Sequence, residues 1–356
     1  MSSLDSPRRA TIADVARKAG VATSTASVVF SGKAKVAPST KERVLAAAAE
    51  LGYAGPDPRA ASLRRGRSGI VGVVLEGHLR TAFLDPVTTA MMDGLTDGLA
   101  ELSAGILLMR DEPGEGGSSA LSSAPVDAVV LIGCSGRTRD SLEVVRSRGL
   151  PVVVIEGDAG EGIPRITLDN TTAAADVARH VRELGHENVA LVTLPLDSAR
   201  ERGQVTAERL ATATVDVTIH RLLGTREVFP NAPAFSAAGS FIDEGLLVGR
   251  MLLADPLRRP TAVIAQSDLL AAGVIRAAEE LGLSVPGDVS VAGFDGISVD
   301  GLGAHTLTTS VQPAVEKGRA AGEQVARMLR GEPALTQNLT CRFRAGTTTA
   351  PPSAVR

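Results

Sequence analysis

The chain has 356 residues, enough for two or three domains and a sizeable core. Hydrophobic residues make up 44% and charged residues 22%, the balance of a water-soluble globular protein, and no apolar run reaches the roughly 18 residues of a membrane span. Cys134 and Cys341 lie far apart, with neither metal-ligand spacing nor a disulfide framework, and no apolar stretch follows the early Arg8-Arg9 pair, so a reducing cytoplasm is expected.

The net charge of -3 is unevenly divided. Residues 1–68 carry 12 Lys and Arg against 5 Asp and Glu, and the remainder carries 25 against 35. A small basic head on a large acidic body points to a polyanion as partner for the head alone.

In chain order, the first 53 residues read as three short helices. Ile12, Val15, Ala16 and Ala19 share a helical face that Gly20 ends. A second helix runs from about Thr23 to Phe30. A third opens with Ser39-Thr40-Lys41-Glu42, the spacing of a capping box, and carries Val44, Leu45, Ala48 and Leu51 up to Gly52. Residues 54–68 are rich in Pro, Gly and Arg. They read either as a plain linker or as a two-turn helix between Pro58 and Arg65, too short to persist alone.

From Ser68 the texture changes to short Val/Ile/Leu runs alternating with helical patterns. Candidate strands are 70–75, 106–109, 128–132, 152–155, 189–192, 263–265 and 289–292. Continuous rather than alternating apolar runs imply a sheet covered on both faces, the mark of parallel α/β structure, and about 275 residues of it favour two lobes. The Gly/Ser-rich stretch 112–123 reads as a surface loop.

The run Thr11-Ile12-Ala13-Asp14-Val15-Ala16-Arg17-Lys18-Ala19-Gly20-Val21-Ala22-Thr23-Ser24-Thr25-Ala26-Ser27 has helix-turn-helix spacing. Ala16 is small where two helices cross, Gly20 supplies the turn, and the next helix begins with hydroxyl residues suited to phosphates and base edges. This run resembles the N-terminal signature of the LacI family of bacterial regulators. The resemblance continues through Val36-Ala37-Pro38-Ser39-Thr40, Leu51-Gly52-Tyr53, Ala60-Ala61-Ser62-Leu63-Arg64-Arg65-Gly66, Ser267-Asp268-Leu269-Leu270-Ala271-Ala272-Gly273 and Gly293-Phe294-Asp295.

That resemblance implies a helix-turn-helix head (1–53), a hinge (54–68) whose helix orders on DNA, and a two-lobed effector and dimerisation domain (69–345) like periplasmic binding proteins. Its expected lobes are 69–185 with 296–325 and 186–295 with 326–345, followed by a tail at 346–356. It implies that Thr23, Ser24 and Val28 read bases, and that Thr11, Thr25, Ser27 and Thr40 position the backbone. Ala60, Leu63 and Arg64 belong to the hinge, Leu63 as a minor-groove wedge that kinks the duplex. Val28 departs from the family's usual Arg. Arg can fork onto guanine for about 1–3 kcal/mol of discrimination, whereas Val can only meet a thymine methyl; Val28 is either that contact or a core residue.

In a two-lobed fold the ligand sits between the lobes at the strand ends. The resemblance makes Asp268 and Arg200 effector contacts, with Arg202 as an alternative to Arg200. Asp169 and Asp295, which follow strand-like runs, are further candidate effector contacts, and Phe83, Leu84 and Asp85, after the first strand, are expected to form the wall on the other lobe; for the Asp residues helix capping is the competing role. With no Trp, and with Tyr53 in the head, ring stacking on a ligand falls to a Phe.

An enzyme is not expected. The five His show no HExxH spacing, and no dinucleotide, phosphate-loop or nucleophile-elbow motif occurs, so no catalytic residue, metal or cofactor is assigned. An exported solute-binding protein shares the fold but has no use for a DNA-reading head. The implied function is a dimeric repressor on a palindromic operator, controlled by a small molecule such as a sugar, with no membrane partner.

Overall fold

Thr11 starts the first helix, α1 (Ile12–Ala19), with a reciprocal cap. Its hydroxyl accepts from the Asp14 N–H at 3.3 Å, and its own N–H donates to the Asp14 carboxylate at 3.0 Å. Gly20, at φ 63°, ends the helix. Two more helices follow, α2 (Thr23–Ser31) and α3 (Pro38–Glu50). The box expected at Ser39–Glu42 does not form: Pro38 takes the first turn, where its missing N–H costs nothing, and Ala37 precedes it without a side-chain cap. The head's core is Val15, Ala16, Ala19, Ala26, Val44, Ala47 and Ala48. Alanines dominate because three short helices must approach closely. Phe30 meets Tyr53 edge-on, ring centres 5.3 Å apart, at the margin of this core.

These details come from a computed structural model, which describes residues 10–31, 35–55, 62, 66–75, 79–110, 120–133, 138–157, 159–300 and 302–353. The expected hinge helix, with Ala60, Leu63 and Arg64, lies outside the described residues, as does most of the loop at 112–123. The chain divides into two compact units at Ser68 and Gly69.

The second unit holds two largely parallel sheets. One has the order β12-β5-β4-β3-β1-β2, from β1 (Ile70–Leu75), β2 (Gly105–Arg110), β3 (Ala128–Ile132), β4 (Val152–Ile155), β5 (Arg165–Leu168) and β12 (Gln337–Leu339). The other runs β13-β11-β10-β9-β6-β8-β7, from β6 (Val189–Thr193), β7 (Gly203–Gln204), β8 (Ala234–Ser236), β9 (Ala262–Ala265), β10 (Ser290–Asp295), β11 (Thr308–Val311) and β13 (Arg342–Arg344). Their Val/Ile/Leu runs are buried on both faces, each sheet lying between two apolar clusters.

Around the first sheet pack α4 (Leu79–Leu84), α5 (Pro86–Leu99), α6 (Thr138–Ser147) and α12 (Ala314–Leu329). Around the second lie α7 (Asn170–Glu183), α8 (Ala207–Ala211), α9 (Asp216–Val228), α10 (Ile242–Leu253) and α11 (Asp268–Glu280). Helices α5 and α12 touch backbone to backbone: a Cβ on Gly94 would sit 1.8 Å from the Val315 carbonyl oxygen.

The lobes divide elsewhere than expected. The chain crosses between sheets after β5 (near 169), after β11 (near 312) and between β12 and β13 (near 340), rather than at 185, 295 and 325. Packing explains the shift. Val177, Ala178 and Val181 of α7 bury in the second lobe, whereas Ala320, Ala321 and Val325 of α12 bury in the first. A helix's apolar stripe shows that it packs, not on which sheet. The tail is likewise docked through residue 350: the Val291 N–H donates to the Thr348 carbonyl at 2.8 Å, and the His186 ring lies 2.8 Å from the Ala350 carbonyl.

Candidate functional site

In the head, Thr23 and Ser24 are exposed at the start of α2, and Thr25, Ser27 and Val28 behind them are half-buried. Val29 and Phe30 pack against the head's core and Val28 does not, so its methyls remain outside that cluster. Thr11 uses its hydroxyl in the cap, donating to Asp14 at 2.6 Å, and Thr40 lies half-buried in the first turn of α3.

In the second unit an open cleft lies beyond the carboxyl ends of β1, β3 and β6. Leu75, Ala82, Asp85, Thr88 and Ile132 line it from one lobe, and Leu194, Asp197, Arg200, Ser240 and Phe241 from the other. Asp85 combines two roles. It caps α5 by accepting from the Val87 N–H (3.0 Å) and the Thr88 hydroxyl (2.7 Å), and it borders the cleft. Arg200, held at φ 54°, reaches the cleft, whereas Arg202 is forked onto Glu244 at 2.5 and 3.0 Å. Phe241 supplies the aromatic surface.

Three expected contacts are placed elsewhere. Phe83 is 60% exposed on α4 and does not line the cleft; its neighbour Ala82 does. Asp169 accepts from the Cys341 N–H at 2.8 Å, pinning the third crossing to the first. Asp268 is fully buried inside one lobe, accepting from the N–H groups of Gly296 (2.7 Å) and Ile297 (2.9 Å) and from the Thr309 hydroxyl (2.6 Å). It anchors the loop after β10, and burial beside Asp295 pushes its carboxyl up to about 8. The preceding Ser267, the N-cap of α11, is the residue that faces the cleft floor.

Asp295 does reach that floor, where it joins a closed ring of six buried or nearly buried side chains spanning both lobes. Its carboxylate accepts from the Gln312 amide at 2.7 Å, and Gln312 accepts from the Lys317 ammonium at 2.7 Å. Lys317 also donates to Glu156 at 3.2 Å, and Glu156 accepts from Asn170 at 3.0 Å. Asn170 accepts from Arg221 at 2.9 Å, and Arg221 returns to Asp295 at 3.3 Å. Burial raises the Asp295 carboxyl to about 6, against the opposing pull of Arg221. Sequence reading missed Glu156, Asn170, Arg221, Gln312 and Lys317. The visible signals were slight: a Glu-Gly pair directly after the apolar run 152–155, and cations inside otherwise ordinary helical patterns.

Residues 11–55 match the family described as bacterial regulatory proteins, lacI family, and residues 178–349 match the periplasmic binding protein-like domain. The chain is 33% identical to an HTH-type transcriptional regulator of Mycobacterium tuberculosis, covering 97% of this chain and 98% of that one. The chain belongs to the LacI family. A LacI-family transcriptional regulator from Corynebacterium glutamicum, 30% identical, superposes with a TM-score of 0.70 over 95% of this chain and 98% of that one. The lac repressor dimer bound to operator and an anti-inducer shares the fold, with a TM-score of 0.75 at 21% identity, over 96% of this chain and 100% of that one. This LacI-family protein is therefore a DNA-binding transcriptional regulator rather than an enzyme, with an effector domain of the periplasmic-binding type. No helix among its described residues is long and apolar enough to cross a membrane.

Proposed function

We propose that this LacI-family regulator is a cytoplasmic homodimeric repressor whose affinity for a palindromic operator is set by a small molecule, a sugar or related metabolite, held in the interlobe cleft. The observation that carries the reading is the exposed Thr23-Ser24 pair opening α2 of a head rich in Lys and Arg. A helix that enters the major groove by its N-terminal turn meets base edges and phosphates with such residues. In this reading Thr23, Ser24 and Val28 contact bases, and Thr11, Thr25, Ser27 and Thr40 hold the phosphate backbone. Ala60, Leu63 and Arg64 form the minor-groove hinge, with Leu63 as the wedge.

Two heads require two chains. Leu247 and Met251, one turn apart on α10, are 39 and 57% exposed, and Phe83 and Leu84 of α4 are 60 and 62% exposed. Apolar surface of this kind favours burial against a second copy. In the cleft, Asp85, Arg200 and Asp295, with Ser267 and Phe241, offer the mixture of acceptors, donors and one aromatic face that a hydroxylated ring uses. The test is selection from a random duplex pool by purified protein, repeated with a metabolite panel. A two-fold symmetric consensus whose retention changes with one metabolite supports the reading; an unenriched pool under every condition refutes it.

A further inference from the structure

Carboxylates outnumber cations at the cleft. Among the described residues, the walls and floor present Asp85, Glu156, Asp197 and Asp295 against Arg200, Arg221 and Lys317. Two of these cations are already committed. Lys317, with its side chain 5% exposed, gives hydrogen bonds to Glu156 and Gln312. Arg221, also 5% exposed, directs Nε to Asn170 and Nη1 to the Gln266 carbonyl (2.6 Å) and Asp295. The ring they close is neutral overall, two carboxylates against two cations.

A phosphate ester entering a partly desolvated cleft needs cationic donors to replace its water. Arg200 borders the wall, but at the floor every cation is held in the ring, so a phosphate engaging Lys317 or Arg221 would displace Glu156 or Asp295 and leave that carboxylate buried and unpaired. Hydroxyl groups make no such demand. They can donate to carboxylates and accept from Ser240, Ser267 and Arg200, all of which border the cavity. We propose that the ring makes the cleft selective for uncharged, hydroxyl-rich effectors and against their phosphorylated forms, with Glu156 and Asp295 as the carboxylates that set this selectivity. The proposal rests on the reading that the effector binds in this cleft.

The test uses the full-length protein, titrated by calorimetry and thermal shift with inorganic phosphate and with a panel of monosaccharides and polyols, each paired with its own phosphate ester. Phe241→Ala assigns any binding to the cleft. The expected result is one or more uncharged compounds binding at least about 100-fold more tightly than their esters, with inorganic phosphate silent. Glu156→Gln, which leaves Lys317 uncompensated, is expected to narrow that gap to about tenfold or less and to make inorganic phosphate bind; Asp295→Asn provides the same test at Arg221.

An ester that binds the wild-type cleft as tightly as its parent overturns the selectivity and leaves the effector site standing. Full discrimination retained in folded Glu156→Gln and Asp295→Asn also overturns it. If no compound in either arm binds, the cleft reading itself fails and the selectivity falls with it.

Discussion

The Arg221 guanidinium lies 3.3 Å from the Asp295 carboxylate and 3.6 Å above the centre of the Phe294 ring, with only 5 and 8% of the two charged side chains exposed. Arg221 comes from α9 and Asp295 from the end of β10, so the pair fixes a helix of the second lobe to the strand end that borders the cleft. A buried pair contributes little net stability compared with an apolar replacement of both partners, but removing one partner strands the other. Arg221→Met is therefore expected to cost about 3–5 kcal/mol at pH 8, read from urea unfolding of the full chain. Arg221 holds the Asp295 carboxyl down to about 6, and without it the proton is kept to higher pH, so the loss should shrink as the pH falls from 8 toward 6 and level off below that. A loss independent of pH would contradict the assignment.

Asp268 allows a test of opposite outcome. Its folded carboxyl titrates at about 8 against 3.8 ordinarily, so between those values the fold holds a proton that the unfolded chain has released. Its contribution is whole below about pH 4 and is lost as the pH rises through 8. Asp268→Asn keeps an oxygen for the Gly296 and Ile297 N–H groups and an amide for the Thr309 hydroxyl. It should match wild type at pH 4 and melt higher than wild type at pH 9. Asp268→Ala leaves two N–H groups unsatisfied and should lose about 2–4 kcal/mol at either pH.

The contact between α5 and α12 predicts a steric effect. A methyl group at Gly94 or Gly318 would lie 1.8 Å from a facing carbonyl oxygen, so either Gly→Ala change must separate the helices. Each is expected to cost about 1–3 kcal/mol in thermal or urea unfolding, despite the helix propensity gained. Alanine at exposed Gly331, at φ 79° with open space around it, should cost less, through backbone strain alone.

Val28 predicts a change in specificity rather than in stability. Because it lies outside the head's core, Val28→Arg should leave the unfolding free energy within about 0.5 kcal/mol of wild type. In a binding-site selection it should move preference at one half-site position toward guanine, by about 1–3 kcal/mol. An unchanged consensus would mean that Val28 touches no base.

Much of the fold was legible because burial on both faces writes itself as uninterrupted Val, Ile and Leu; 128–132 and 152–155 emerge with the bounds read from sequence. The head was legible because its turn needs Gly20 and its close crossing needs Ala16. Sheet membership was not, since α7 and α12 show their apolar stripes without naming the sheet that receives them. The short strands β7, β8, β12 and β13, of two or three residues, leave too little pattern to read. The ring at the cleft floor was hidden for a topological reason. Residues 156, 170, 221, 295, 312 and 317 meet only because the chain crosses between lobes, and no local spacing records that. Ser267 and Asp268 show the finest limit: adjacent polar residues, of which one faces the cleft and the other anchors a loop.

If effector binding in the cleft and operator binding by the heads are energetically coupled, as proposed, the coupling must be reciprocal. With the operator and effector obtained by selection, the effector's Kd is measured by calorimetry on free protein and on the protein–operator complex, and the operator's Kd with and without effector at the same salt. Both affinities are expected to change, by the same factor, about 5–150-fold. An effector Kd identical in the free and operator-bound protein would mean that the cleft does not control DNA binding.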